Sequence, residues 1–386
     1  MGTRFRFLAG VVVPVLLLSL SACSTSSSST PTGSGALFVA TQGDSSVSAY
    51  LIDLSAGTLT ANGKSVATGS VPTAMILAPS GKALFVANQA TNDISSYTVS
   101  SDGTLTSGAT TPTGGMTPLN MAMDSAGHFL FVANQGVQVD PASGTVSVFA
   151  VQDATLTAVP GSPFQVAELG AASGTGPAGV AVTPDGKFLY VSNQFDSTVT
   201  SFSVDASGVL TRGPVVPVGT TPSAVTIAPD GGFLYVANSS TLSGFAICNQ
   251  IVTSCNDPTH PDGTLTAIAG SPFSAGLGPV SIVTVPSGKF LFVVDRLSNQ
   301  VSEYKVATGT GVLTANSQAT ISTASNPVWA AIRDATTGGT TNYLYVAELG
   351  ASSLSIYTFD STKGTLSRVG QPITIAGGQP AALAAE

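Results

Sequence analysis

The chain has 386 residues and carries 20 Asp and Glu against 12 Lys and Arg, a formal net charge of −8 at pH 7. This acidic balance argues against nucleic-acid binding, which needs a basic surface. Only 8% of the residues are charged, whereas Gly alone contributes 42, and such a composition is typical of an exported all-β protein with short strands and Gly-rich turns.

The first 23 residues have the pattern of an export signal. Arg4 and Arg6 precede an apolar run over residues 7–20, and Leu20-Ser21-Ala22-Cys23 resembles the bacterial lipobox. By that resemblance, Cys23 becomes the lipidated first residue of a protein anchored in the bacterial cell envelope, at the outer membrane or its periplasmic face. The alternatives are a plain secretory peptide and an uncleaved transmembrane helix, for which the apolar run is shorter than the roughly 20 residues of a span.

Residues 24–35 form a separate segment. They are mostly Ser and Thr, with Pro31 and Gly33. Such residues cannot build an apolar core, so we expect a flexible tether between the signal and a folded domain over residues 36–386.

A five-residue stretch, Leu189-Tyr190-Val191-Ser192-Asn193, recurs along the rest of the chain with small changes. The seven copies end at Thr41, Asn88, Asn134, Asn193, Asn238, Asp295 and Glu348. An alternating strand pattern with an aromatic residue follows each copy, and a variant of Gly-Thr-Leu-Thr then opens one more strand. Repetition at a period of about 45–60 residues is a signature of propeller blades.

Every copy but the first is preceded by a small, mostly apolar run that starts at a proline, as at Pro72 and Pro177. The run fits a buried strand, and a turn of the Pro-Asp-Gly type after it fits a tight hairpin. Each unit therefore has four antiparallel strands, a to d, with a innermost. The first unit lacks strand a, and residues 379–384 have the pattern of a strand a with no copy after it. We expect this C-terminal strand to complete the first blade and close a seven-bladed β-propeller.

The repeats resemble those of a known family. Leu-Tyr-Val followed by Ala or Ser and Asn is similar to the YVTN repeat, and the pattern Pro-x-Gly-Lys-Phe-Leu-Tyr-Val at residues 184–191 resembles the seven-bladed lactonases, which include bacterial 6-phosphogluconolactonase. The resemblance extends from Ala36 to the end of the chain. It implies a lactone hydrolase with His, Arg and acidic residues in a central pocket.

This chain departs from that family in its His residues. A family His commonly follows the proline that opens strand a, but the residues here are Thr73, Leu119, Ala178, Ser223, Val280, Val328 and Ala381. His128 and His260 fall in an a–b turn and a c–d loop, and Arg333 ends a strand a. All three are expected away from the channel mouth, so the family's acid–base set is not carried over.

The d–a and b–c loops are expected to share the face that surrounds the channel mouth, and each b–c loop starts at the last residue of a repeated stretch. Asn and Asp there have a structural alternative, because they cap turns. Asp295 and Glu348 depart from the Asn pattern and Arg296 follows directly, so these three are the candidate catalytic residues. Further ligand-face candidates are Asn134, Glu168, Asn193, Asp196 and Trp329.

Insertions and one aromatic residue add detail to this face. Residues 136–144 lengthen a b–c loop and residues 168–176 lengthen the next d–a loop, where specificity is commonly built. Trp329 is the third residue of a strand a that is mostly small in other blades. It either fills the channel as core or offers a stacking surface to a sugar.

Cys248 and Cys255 lie close together in a third insertion, residues 246–263. In an oxidising compartment we expect a local disulfide, with free thiols as the alternative. Only Asp257 and His260 lie near, too few for a metal site, and no Walker loop, dinucleotide fingerprint or nucleophile elbow is present. We therefore expect no metal and no cofactor.

Two functions are compatible with these features. The first is a membrane-tethered, monomeric propeller that binds a small molecule or a protein without catalysis, which the low charge, the missing His set and the anchor favour. The second is a lactone hydrolase, a carboxylic ester hydrolase of the family it resembles, acting on sugar lactones at the channel mouth with Asp295, Arg296 and Glu348.

Overall fold

A computed structural model describes residues 35–168, 174–248, 262–334 and 341–386. Within these ranges all regular structure is β, arranged in seven antiparallel sheets. The predicted all-β, seven-bladed propeller with four strands per blade is therefore confirmed. No helix in these ranges has the length and apolar character of a membrane span.

Each blade runs from an inner strand a to an outer strand d. The a strands are β5 (Pro72–Leu77), β9 (Pro118–Met123), β14 (Pro177–Val182), β18 (Ala224–Ile227), β23 (Pro279–Thr284), β27 (Pro327–Arg333) and β32 (Pro380–Ala385). The b strands are β1 (Gly35–Thr41), β6 (Ala83–Asn88), β10 (Phe129–Asn134), β15 (Phe188–Asn193), β19 (Phe233–Ala237), β24 (Phe290–Asp295) and β28 (Asn342–Glu348).

The outer half of each blade follows the same order. The c strands are β2 (Ser46–Ile52), β7 (Asp93–Val99), β11 (Thr145–Gln152), β16 (Thr198–Val204), β20 (Thr241–Ile247), β25 (Gln300–Val306) and β29 (Ser353–Phe359). The d strands, four of them split in two, are β3 (Leu59–Ala61) with β4 (Val66–Ala67), β8 (Leu105–Pro112), β12 (Thr155–Ala158) with β13 (Phe164–Gln165), β17 (Leu210–Pro217), β21 (Leu265–Ala267) with β22 (Phe273–Ser274), β26 (Leu313–Ser322), and β30 (Leu366–Arg368) with β31 (Ile373–Thr374).

The repeated stretch is strand b, which is apolar on both faces because a blade stacks on each side of it. In β6, Leu84 and Val86 pack into the core shared with blade one, whereas Phe85 and Ala87 pack into the core shared with blade three. All four side chains are fully buried. A strand covered on both faces reads as a continuous apolar run rather than an alternating one, which explains the repeated sequence.

Tyrosine hydroxyls connect neighbouring blades. Tyr97 and Tyr304, on c strands, donate to the carbonyls of Ala67 and Ser274 in the preceding blade, at 2.7 and 2.6 Å. Tyr190, on a b strand, donates to the carbonyl of Gly263 in the following blade at 2.7 Å. Each bond satisfies a hydroxyl in an otherwise apolar interface, where an unpaired polar group would be costly.

The ring is closed by the C-terminal strand. β32 pairs antiparallel with β1, from Leu37 opposite Ala385 to Thr41 opposite Pro380, in the sheet order β3-β2-β1-β32. It also contacts the inner strands β5 and β27 on either side. The predicted closure is confirmed, with the strand displaced by one residue from the expected bounds.

Truncation after Gly378 should therefore destabilise the whole propeller. Ala382 and Leu383 are at most 2% exposed, and a short inner strand buries on the order of a few hundred Å² of apolar surface at roughly 25 cal/mol per Å². That loss is comparable with the total stability of a domain, about 5–15 kcal/mol. We expect aggregation or a large decrease in Tm by scanning calorimetry, and a Tm within a degree of the full-length protein would contradict this role of β32.

Candidate functional site

Seven buried polar side chains form a ring at one end of the propeller, one at the end of each repeated stretch. The seven residues that end the repeated stretches are at most 1% exposed. Their side chains bond to hydroxyl groups of the adjacent c strand: Asn88 donates to Ser95 at 3.0 Å, Asn134 to Ser147 at 2.7 Å and Asn193 to Thr200 at 2.8 Å. Asn134 and Asn193, predicted on the ligand face, therefore lie inside the blades.

The candidate carboxylates Asp295 and Glu348 belong to this ring and are fully buried. Glu348 accepts hydrogen bonds from the hydroxyls of Ser353 and Ser355, at 2.6 and 2.5 Å, and from the Ala324 N–H at 2.6 Å. Asp295 accepts from the Ser302 hydroxyl and from Gln300 Nε2. Neither residue lines the cavity at the channel mouth, so the fold places both as structural acceptors within their blades.

Burial changes the acidity of Asp295. Desolvation raises its pKa to about 6, and the hydrogen bonds from Ser302, Gln300 and the Gly276 backbone only partly oppose this effect. An amide at the same position, as in blades two to five, carries no charge to desolvate. Blade six therefore holds a carboxylate where burial disfavours the charged form.

In four blades the residue after the ring member lines the channel mouth: Gln42, Gln194, Arg296 and Leu349. In six blades its N–H donates to the carbonyl of the residue just before the proline of strand a, as from Arg296 to Gly278 at 2.9 Å and from Gln89 to Val71 at 2.8 Å. That preceding residue has a left-handed backbone in every blade, with φ of 57° at Val71 and 63° at Gly278. This conformation brings the d–a loop against the b–c loop and fixes the ring of residues at the mouth.

The mouth contains a cavity of about 350 Å³. Two sets of residues form most of its lining, namely residues that follow a ring member and the second residues of the a strands. The lining comprises Gln42, Gln194, Arg296 and Leu349 from the first set, Thr73, Leu119, Ala178, Ser223, Val280, Val328 and Ala381 from the second, and Asn120 and Trp329. The positions compared with the family's His residues thus line the mouth cavity.

Several polar groups of the lining are already engaged. Gln42 Nε2 donates to the Pro72 carbonyl at 3.0 Å, and Gln194 Oε1 accepts from Gln135 Nε2 at 2.7 Å. Thr73 and Ser223 donate to backbone carbonyls of the next blade. The exposed Arg296 side chain makes no hydrogen bond or ion pair with the described residues, so it is the cation available to a ligand at the mouth.

Trp329 packs against the core and also borders the channel cavities. Its Nε1 donates to the Leu383 carbonyl at 3.1 Å, and its ring packs against the cores that blade one shares with blades two and seven. It is nevertheless partly exposed and lines both the mouth cavity and a deeper cavity of about 320 Å³. The indole is therefore a fixed wall of the channel.

Glu168 and Asp196 lie away from this wall. Glu168 is exposed and forms an ion pair with Arg212 on outer strand β17, at 3.1 Å. Asp196 is in the exposed b–c turn of blade four, where it accepts from Thr198 at 2.8 Å. Neither residue lines the described channel cavities, so the structure does not bring either to Arg296.

The opposite face holds the other residues singled out in the sequence. His128 is 73% exposed in the a–b turn of blade three, and Arg333 ends β27. Cys248 is disulfide-bonded, whereas Cys255 and His260 lie outside the described residues. No group of three or more potential metal ligands occurs in the part of the chain that the structure describes.

Sequence reasoning missed Gln42, Gln194 and Asn120 at the mouth. The signal for the first two was their place directly after a ring member, the same place that Arg296 occupies. Arg296 was recognised as a candidate at this position because it is charged. The amides were not distinguished from ordinary turn residues, which they resemble in type.

Comparison with known proteins gives a consistent result. The sequence profile described as "Lactonase, 7-bladed beta-propeller" matches residues 68–156, 139–250 and 255–384. No curated protein sequence matches the chain.

Solved structures share the architecture. A candidate 6-phosphogluconolactonase of Bacteroides uniformis has a TM-score of 0.72 and 20% identity, covering 92% of this chain and 100% of its own. The periplasmic gluconolactonase of Pseudomonas aeruginosa has a TM-score of 0.70 and 22% identity, covering 91% and 99%. At these identities the likeness establishes a shared fold.

The substitution Asp295→Asn should stabilise the protein at neutral pH. The folded pKa is about 6 and the unfolded value about 3.9, so folding takes up a proton between these limits and the free energy of unfolding decreases as pH rises through about 4 to 6. At pH 7 the variant should be more stable by about 1–3 kcal/mol, measured by urea unfolding.

The exposed substitution Asp153→Asn is the matched control, since Asp153 lies in a surface turn. It should leave the pH profile of stability unchanged. If Asp295→Asn and Asp153→Asn give the same profile between pH 4 and 7, the proposed raised pKa of Asp295 is wrong.

Proposed function

Because the chain belongs to the seven-bladed β-propeller lactonase family, we propose that it binds sugar lactones at the channel mouth and hydrolyses them there. The observation that carries this proposal is the mouth itself, where the Arg296 guanidinium, the Trp329 indole and side-chain amides surround one cavity of about 350 Å³. The gluconolactonase with the same fold supports the choice of substrate class.

The lining suits a small polyhydroxylated ring. The fixed indole of Trp329 offers an apolar face against which a sugar ring packs. Gln42 Oε1, Gln194 Nε2 and Asn120 supply acceptors and donors for ring hydroxyls, because the other atoms of the two glutamines are already bonded. Such a site combines apolar walls with a few polar groups that fix orientation.

Arg296 would promote the chemical step. Water adds to the lactone carbonyl, the ring C–O bond breaks, and the product is an open-chain hydroxy acid. Negative charge develops on the carbonyl oxygen, and a guanidinium aimed at that atom stabilises it. The described lining has no Asp, Glu or His, so the proton of the attacking water passes to solvent and the rate should increase with pH.

The same feature favours a second candidate function. A lining without a carboxylate or imidazole in its described part fits a module that binds a sugar lactone or its acid without turnover. In that case the ligand would bind to the mouth with the contacts given above, and hydrolysis would not exceed the spontaneous rate.

A hydrolysis assay distinguishes lactone hydrolysis from binding without turnover. We expect purified mature protein to hydrolyse δ-gluconolactone and its 6-phosphate above the spontaneous rate, measured in a pH-stat, and Arg296→Gln to reduce kcat by roughly tenfold to 100-fold through loss of oxyanion stabilisation. Lys289→Gln, which removes an exposed cation from an a–b turn, should have no effect.

Binding without turnover, detected calorimetrically with the lactone and weakened by Arg296→Gln, would support the second function and exclude the first. The absence of both binding and turnover with either of the two lactones would contradict both functions.

We further propose that the protein is tethered to the bacterial envelope through Cys23, on the lipobox resemblance of residues 20–23. Cys23→Ser should move the protein to the soluble fraction and remove the lipid mass, measured by fractionation and mass spectrometry. Ser29→Ala, within the tether segment, should remain membrane-bound. An unchanged membrane fraction and mass for Cys23→Ser would contradict a lipid anchor at this residue.

A further inference from the structure

The opposite end of the channel carries a buried cation in an unusual position. Arg333 is the last residue of β27 and is only 3% exposed. Counted from the proline of strand a, the equivalent positions of the other blades hold Ala78, Asp124, Thr183, Ala228, Val285 and Glu386. Blade seven thus places a guanidinium where most blades have a small or apolar side chain.

Among the described residues, this guanidinium has no ion-pair partner. Arg333 Nε and Nη1 have no hydrogen-bond partner in the described part of the chain, and no carboxylate there lies within ion-pair distance of them. Arginine keeps its charge in proteins, so an unpaired burial is costly. The buried Arg333 guanidinium therefore lowers the stability of the folded protein unless a ligand supplies a hydrogen-bond acceptor.

The neighbouring strand also lacks acceptors. In blades four and five, Tyr190 and Tyr235 donate to the carbonyls of Gly263 and Gly311 in the next blade. At the matching position in blade seven, the Tyr345 hydroxyl is buried and has no partner among the described residues. The guanidinium is near enough to oppose the rise in the Tyr345 pKa that burial causes. Three buried donor groups of this corner, Arg333 Nε, Arg333 Nη1 and the Tyr345 hydroxyl, therefore lack a hydrogen-bond partner among the described residues.

Arg333 lines a cavity of about 440 Å³ on the face of the a–b turns. Thr226 and Thr284 line the same cavity, together with Asp334 and Glu386. The negative charges of Asp334 and Glu386 disfavour a multiply charged anion by repulsion, whereas the Glu386 carboxylate accepts hydrogen bonds from hydroxyl groups. The lining therefore favours a ligand with one negative charge and several hydroxyls.

We propose that this cavity is a second ligand site, distinct from the channel mouth, that binds a small hydroxy-carboxylate with its carboxylate on Arg333. A carboxylate fits the planar guanidinium through charge-assisted hydrogen bonds. The ligand hydroxyls then face Glu386 and the two threonines. This site does not depend on lactone hydrolysis at the mouth, although the acids that hydrolysis yields belong to the same chemical class.

The test measures ligand-induced stabilisation with the mouth disabled. In an Arg296→Gln background, sodium gluconate at a hundredfold excess over its Kd should raise Tm by about 4 °C. Acetate should raise it less, and sulfate and glucose should not raise it beyond sodium chloride at equal ionic strength. Isothermal calorimetry should give one site for gluconate.

Arg333→Met separates binding from a structural role. It removes an unpaired buried charge, so without ligand its Tm should equal or exceed that of the parent, and the gluconate response should disappear. Lys289→Gln, an exposed cation in an a–b turn of the same face, should keep the response. A large loss of stability in ligand-free Arg333→Met, or an equal gluconate response in it, would overturn the proposal.

Discussion

The propeller depends on one interaction repeated in every blade, the bond between the buried polar residue that ends strand b and the hydroxyls of strand c. Asn193 with Thr200 and Glu348 with Ser355 show the same geometry with an amide and a carboxylate. The bond satisfies one polar atom of a fully buried side chain, where leaving that atom unpaired would cost as much as a lost hydrogen bond. It also fixes the point at which the chain leaves the sheet for the b–c loop.

The chemistry of the channel mouth follows from that constraint. Because the ring residue is committed to its blade, the next residue is the first that is free to face the ligand, and its N–H is held by the left-handed residue before strand a. Arg296 and Gln194 reach the mouth in this way. Asp295, which has the residue type of a catalytic acid or base, is consequently buried inside its blade. Gln42 and Gln194, which resemble ordinary polar turn residues in the sequence, line the cavity.

The channel has different chemical character at its two ends. The mouth offers an accessible cation beside a fixed indole and side-chain amides, whereas the far end holds a buried guanidinium among hydroxyls and carboxylates. The inner strands between them carry mostly aliphatic side chains, such as Val180 and Ala224, together with the polar residues Asn120, Thr226 and Ser281. One scaffold thus presents two chemically different environments at the two ends of its channel.

The sequence by itself determined the blade number, the strand order within each blade and the closure by the C-terminal strand. These follow from local patterns, since a strand covered on both faces must be apolar throughout, as in residues 84–87, and Pro and Gly mark the turns. The sequence also determined which faces the loops share, because alternating antiparallel strands leave no other choice.

Only the tertiary structure decided which polar residues face the ligand. Asp295 and Arg296 are adjacent in the chain, yet one is sealed inside a blade and the other is exposed at the mouth, because successive residues at a strand end point in different directions. The position of Arg333 at the end of a strand did not predict that its buried guanidinium would lack hydrogen-bond partners among the described residues. It depends on which groups of β28, the first blade and the C-terminus come near it, and these contacts join segments far apart in the chain.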